Sequence, residues 1–317
     1  MVINVTGWNQ VNAHVSPGLQ VHVGIPHTGG ALAFHAFNKS YPVMVSASAF
    51  WRGQKRGFRV PESTDLSECD VFLDSAGFTA ISQWQSKGKQ PGMAGIYPWS
   101  LAQYLELVCD LSPPRWSAPD LCVEPEVAGD PETIDWRIRA TATLLELTLR
   151  MVFDWQMQFA KGGSWEAAMN FIHPPVPIIQ GWTVSDYQRS LDMTLEVWEQ
   201  WMPLVAAPAL IGVGSVCRRH LTDPKHGLWA ILRGLEGRLP KESRLHLFGV
   251  KGPALADLQH MPMVASTDSM AYDFASRVTA RERGVSNTMA LRAEHMDGWM
   301  ERQLGGHDRS QRDLFAA

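Results

Sequence analysis

Val71-Phe72-Leu73-Asp74-Ser75-Ala76-Gly77-Phe78 is a short apolar run that stops on a carboxylate and continues into residues small enough for a tight turn. Such a run reads as a buried strand, and an acid at its C-terminal end faces whatever pocket the strand opens into. The small residues let backbone amides approach a ligand, and Phe78 sets a flat apolar ring beside them. The segments Leu121-Cys122-Val123-Glu124-Pro125-Glu126, Val176 to Trp182, Leu210 to Ser215, Leu245 to Lys251 and Met263 to Asp268 have the same form. With Leu19 to Ile25 and Val43 to Ala47 the strand candidates come to about eight, with helical stretches between them, which predicts an α/β fold of the (β/α)8 TIM-barrel type.

The helical stretches have their own signals. Pro98 is placed to start a helix over Trp99 to Val108, Asp130 one over Pro131 to Ala160, and Ser185 one that runs to Trp201. Gly284 to Asn287 offers a cap to a helix from Thr288 to Leu304, stopped by Gly305-Gly306. On this reading residues 1–283 form the barrel, 284–306 a C-terminal helical extension and 307–317 a flexible tail.

Bulk properties narrow the class. The 317 residues are 45% hydrophobic and 19% charged, with no apolar run long enough for a membrane span, which predicts a soluble globular enzyme with no membrane partner. The first residues lack the features of a signal peptide, so a cytoplasmic location is expected. Cys69, Cys109, Cys122 and Cys217 have no paired spacing, which argues against a disulfide framework and suits a reducing compartment. The net charge of −4 gives no global pull on nucleic acid, so any such contact needs a local basic patch. Trp51-Arg52-Gly53-Gln54-Lys55-Arg56-Gly57-Phe58-Arg59 is a candidate patch, or else a solvated loop kept mobile by its glycines.

Asp74 and Asp268, each at the end of a strand candidate, are the sharpest chemical pair. One carboxylate can attack a sugar carbon while the other manages protons; the alternatives are metal ligation and helix capping.

Taken in order, these segments resemble the tRNA-guanine transglycosylase superfamily. Asp74 to Phe78 is similar to its D-S-G-G-F/Y motif, Ile179-Gln180-Gly181 to Q-G-G, Ile211 to Gly214 to a G-G-L-A-type loop, and His246 to Val250 to L-M-G-V. Cys217-Arg218-Arg219-His220, His246 to Lys251 and Ser266 to Met270 most resemble the DNA-modifying branch, DpdA, 7-deazaguanine DNA transglycosylases of bacteria and phages. The resemblance implies exchange of guanine in DNA for a 7-deazaguanine such as preQ0, in a bacterial or phage-infected cell. It makes Asp268 the nucleophile that forms a covalent glycosyl-enzyme and Asp74 the general acid/base. It further implies that Ser75 and Gln180 bind the base, that amides around Gly212 and Gly214 contact its carbonyl, and that Phe78 and Phe248 stack on the ring. The superfamily's base-reading aspartate has its counterpart here in Glu124 or Glu126. Arg52, Lys55, Arg56, Arg59, Arg218, Arg219 and Lys251 are expected on phosphates. The tRNA enzymes carry a cysteine-rich zinc site; no cysteine follows Cys217, so neither zinc nor any other cofactor is expected. Cys217, His220 and His226 read better as a packed thiol with loop histidines than as metal ligands. The alternatives are an enzyme acting on tRNA and a non-catalytic nucleic-acid-binding barrel.

Gln311, Asp313, Leu314 and Phe315 match the Q-L-S/D-L-F peptide by which bacterial DNA enzymes dock on the sliding clamp, with Arg312 departing from it. The resemblance implies a clamp partner; the alternative is that Leu314 and Phe315 fold back onto the barrel.

Overall fold

The computed structural model describes residues 18–26, 31–62, 64–202, 204–217, 219–250 and 252–312, without the side chains of residue 31 and residues 304–312. The N-terminal segment read for a leader, Arg218, Lys251, Asp313, Leu314 and Phe315, together with the side chain of Gln311, lie outside the described residues.

Eight parallel strands form one curled sheet: β1 (Gln20–Ile25), β2 (Val43–Ser46), β3 (Val71–Asp74), β4 (Arg115–Trp116), β5 (Ile178–Ile179), β6 (Leu210–Val213), β7 (Arg244–Leu247) and β8 (Val264–Ser269), in the spatial order β4-β3-β2-β1-β8-β7-β6-β5. Helices α1 (Ala31–Asn38), α2 (Gly77–Lys87), α3 (Leu101–Leu111), α4 (Pro131–Gly162), α5 (Trp165–Phe171), α6 (Val184–Trp201), α7 (Leu228–Leu235), α8 (Leu255–Leu258), α9 (Ala271–Arg283) and α10 (Met289–Arg312) lie between or after the strands. This is a (β/α)8-like fold. The seam of the expected barrel is reduced to one parallel bridge, Ser117 to Val176, in which Ala118 N–H donates to Val176 O (2.9 Å) and Val176 N–H to Trp116 O (2.8 Å). The physical reason is proline: Pro113, Pro114 and Pro119 flank β4 and Pro174, Pro175 and Pro177 flank β5, and a residue without an N–H cannot extend a ladder.

Side-chain alternation sorts the strands into two layers. Met44, Phe72, Val176, Ile178, Leu210 and Ala265 pack inside the curl, with Phe248 against them. Val43, Val45, Val71, Leu73, Ile211, Val213, Leu245 and Leu247 point outward into the layer shared with the helices. The β7–β8 register shifts once: Leu245 is opposite Val264 but His246 is opposite Ser266, leaving Ala265 as an extra residue. That bulge restarts the alternation, so Ser266 and Asp268 both face His246, at 2.8 Å and 3.5 Å.

Several element boundaries differ from the sequence reading. The fourth strand is Arg115–Trp116, and Leu121 to Glu124 is buried but outside the ladder. Ser100, in a capping box with Gln103, starts α3, and Thr183, boxed with Asp186, starts α6 in place of Ser185. Helix α10 runs through Gly305-Gly306 to Arg312, because glycine weakens a helix interior without obliging it to stop. Among the described residues no helix is long and apolar enough to cross a membrane.

Candidate active site

Because the strands are parallel, their C-terminal ends open on one side of the sheet, where a cavity of about 600 Å³ is lined by Asp74, Asp120, Glu124, Gln180, Phe248 and Asp268 among others. A cavity of this size accommodates a purine ring. Asp74 ends β3; it accepts the Ala76 N–H at 3.1 Å and is hydrogen-bonded to Ser46. Burial, then the neighbouring Asp120 and Asp268 carboxylates, push its pKa up to about 7. Asp268 is the penultimate residue of β8 and accepts the Gly249 N–H at 2.8 Å, a donor aimed by the positive φ of 68° at Gly249. His246, at 3.5 Å from Asp268, is held below the ordinary histidine pKa by burial, so it faces the carboxylate as a neutral ring.

Asp120 is the functional candidate the sequence reading missed. Its carboxylate accepts from Ser75 Oγ at 2.8 Å and from Gln180 Nε2, and its backbone N–H donates to Tyr97 Oη at 3.1 Å. Burial raises its pKa, and these donors oppose the rise. The signal was present: Arg115-Trp116-Ser117-Ala118-Pro119-Asp120 also runs from a strand to an acid, but Pro119 breaks the run that would have marked it. Gly77 is required because any Cβ there would lie 2.7 Å from Asp120 O.

Ser215 ties the second half of the floor together. It accepts the Val123 N–H at 2.8 Å and lies 2.6 Å from Gln180 Oε1 and 3.0 Å from Glu124 Oε2. One hydroxyl proton cannot serve both oxygens. The shorter approach takes it, so the longer one becomes a hydrogen bond when Glu124 carries its own proton; burial raises the Glu124 pKa in that direction. Ala76 and Ser215, both lining the cavity, are non-glycine residues with left-handed backbones, φ 70° and 53°. Strain of this kind costs on the order of 1–3 kcal/mol and persists where the surroundings impose it.

Other expected site residues take different places. Ser75 is fully buried behind Asp120 and does not line the cavity; its hydroxyl is spent on positioning that carboxylate. The N–H groups of Gly212 and Gly214 donate to Pro177 O (2.8 Å) and Ile179 O (3.0 Å), so the ladder to β5 uses them and they are not available to a base carbonyl. These glycines supply space: a Cβ at Gly212 would meet the Phe248 ring and one at Gly214 the Gln180 amide. Glu126 is exposed at the rim, whereas Glu124 is buried in the floor. Phe248 packs edge-on to His246 with centroids 4.5 Å apart, and Phe78, 43% exposed, lines the same cavity.

Arg219 does not face phosphate. It is 5% exposed, its guanidinium donates to Ser215 O, Trp182 O, His226 O and Gly181 O at 2.7–2.8 Å and to Tyr187 Oη at 3.1 Å, and it lies 4.0 Å over the Trp182 ring. It pins the loops after β5 and β6 that carry Gln180 and Ser215. Arg219→Ala is expected to lower stability by about 3 kcal/mol, because several buried carbonyls are left without a donor. Urea unfolding checks this, and an unchanged midpoint refutes it.

Arg52, Lys55, Arg56 and Arg59 are exposed, and none pairs with a described acid. The segment is a hairpin: Trp51 bridges to Phe58, Arg52 N–H donates to Gly57 O (3.0 Å), and Trp51, Phe58 and Trp99 pack together. Positive φ at Gly53 and Gly57 makes the turn. It leaves β2 beside Ser48 and Ala49, both cavity-lining, so its cations stand on the side of the sheet where the cavity opens. Among the described residues no group of three His, Cys, Asp or Glu side chains is arranged to hold a metal.

Compared with known protein families, residues 47–294 match the one described as DpdA, DeoxyPurine in DNA protein A. The chain belongs to the DpdA family. The match spans every strand after β2 and all the cavity's carboxylates. Membership in the DpdA family carries with it DNA modification by glycosyl transfer, with DNA as the substrate. Comparison with curated proteins finds no match.

Proposed function

We propose that this chain exchanges guanine in DNA for a 7-deazaguanine by double displacement at C1′, with Asp268 as nucleophile and Asp74 as general acid/base. The observation that carries the reading is the cavity itself: two strand-end carboxylates, Asp120, Gln180 and Glu124, and the rings of Phe78 and Phe248 all line it. Asp268 attacks C1′ as the bond to guanine N9 breaks, and the departing base takes a proton through Asp74. The incoming base then gives up its N9 proton to Asp74 and displaces the carboxylate, so configuration is retained. The Asp120 carboxylate accepts from the N–H donors of the guanine edge, the Gln180 amide donates to its carbonyl, and Phe78 and Phe248 stack on the ring at about 1–3 kcal/mol per face. Glu124 in the floor and Glu126 at the rim are the groups available to a 7-substituent.

The test is incubation with radiolabelled guanine and either duplex DNA, single-stranded DNA or tRNA. Label in DNA supports the reading; label confined to tRNA replaces it with the RNA enzyme, and label in neither makes the barrel a binding module. Replacing Arg52, Lys55, Arg56 and Arg59 with alanine is expected to weaken DNA binding for all sequences alike and to flatten its dependence on log salt by roughly 0.9 for each phosphate no longer neutralised. An unaltered slope removes the hairpin from the interface.

A further inference from the structure

The most exposed large apolar side chain among the described residues is Phe274, 66% exposed, in the first turn of α9. Its position is specific. Helix α9 follows directly from β8, the strand that delivers Asp268. Met270, 39% exposed, lines the cavity, and the Phe274 N–H donates to Met270 O at 3.3 Å, which sets Phe274 one helical turn beyond the rim. The outward face continues through Arg277, Val278 and Arg281, all exposed. Arg277 is paired with Asp273 at 2.9 Å, whereas Arg281 pairs with no acid among the described residues. Exposing a phenyl ring one helical turn from a cavity-lining methionine has a cost in water that a partner with apolar faces removes. The partner that the cavity already requires has such faces: stacked bases, flanked by phosphates that suit Arg281.

Resting on the proposed DNA reading, we infer that Phe274 is a wedge that enters the duplex and fills the gap left when the target nucleotide turns into the cavity. A base in a duplex cannot reach Asp268 without leaving its stack, and an apolar side chain inserted at the vacated step offsets part of the unstacking cost. The wedge has work to do only where a stack must be opened, which separates it from residues that bind the base or the backbone.

The experiment compares full-length wild type, Phe274→Ala and Phe274→Leu for uptake of radiolabelled guanine into three DNAs of one sequence: a duplex, the same duplex with an abasic site opposite the target, and the single strand. Phe274→Ala is expected to reduce exchange in the paired duplex by about 10-fold or more while changing it less than about 2-fold on the other two, with Phe274→Leu retaining most of the duplex activity. 2-Aminopurine next to the target reports unstacking directly, and its fluorescence rise on binding should shrink in Phe274→Ala. Equal loss on all three DNAs, or no loss on any, overturns the wedge, as does a wild type active on single strands alone. A wild type that labels no DNA at all overturns the underlying transglycosylase reading instead.

Discussion

Asp268→Ala is expected to lower base exchange by roughly 10⁴-fold or more, with the fold retained. The carboxylate at the end of β8 is set for attack by the Gly249 N–H on one oxygen and by neutral His246 beside it, and the Ala265 bulge turns it inward. Alanine keeps the strand but removes the carboxylate proposed to hold C1′ covalently. Its stability cost is small, because a single backbone donor in a water-accessible cavity is left unpaired. Denaturing gels of stalled reactions give the direct measurement: a protein–DNA adduct in the wild type and none in Asp268→Ala. An adduct of equal yield in the variant assigns the nucleophile elsewhere.

Asp74→Asn is expected to depress turnover by about 10²–10⁴-fold while making the protein more stable above neutral pH. With its pKa at about 7, Asp74 is a carboxylic acid below that pH and a carboxylate above it. Departure of guanine needs the acid and attachment of the new base needs the carboxylate, so wild-type exchange should peak near pH 7, and Asn should flatten the profile. The folded pKa lies above the unfolded value of 3.8, so the folded state holds the proton more tightly; this contribution is fully present below about pH 4 and is lost as pH rises through about 7. At pH 8 the wild type buries a carboxylate beside Asp120 and Asp268, a cost that Asn lacks. The side chain is partly open to the cavity, so the gain is discounted to about 2 kcal/mol. Urea unfolding at pH 8 and pH 4 checks it: a higher midpoint for Asn at pH 8 and none at pH 4. A variant no more stable at pH 8 removes the buried-charge account of Asp74, and unchanged turnover removes Asp74 from the mechanism.

Asp74 was legible in the sequence because it closes an uninterrupted apolar run, and Asp268 because Met263-Val264-Ala265 leads through Ser266-Thr267 to an acid; parallel strands then put both acids at the same end of the sheet. The parallel architecture and the family's ordered motifs follow from the same local patterns. Asp120 was hidden because Pro119 splits its run and only two residues of β4 join the ladder; its role comes from the approach of Ser75 and Gln180, which are 45 and 60 residues away in the chain. The cations divide for a related reason. Arg219 and Arg52 were both expected on phosphates, yet the first fills a buried site between two loops and the second stands in solvent, a difference set by which carbonyls the fold brings within reach. Gly212 and Gly214 likewise read as amide donors, but parallel pairing with β5 uses those amides, and what the glycines contribute is room for Phe248 and Gln180. Local sequence determined seven of the eight strands and the two acids near their ends. Which side chains share a hydrogen bond, which charge is buried and which apolar ring is left outside were decided by long-range packing, because each depends on atoms contributed by several strands at once.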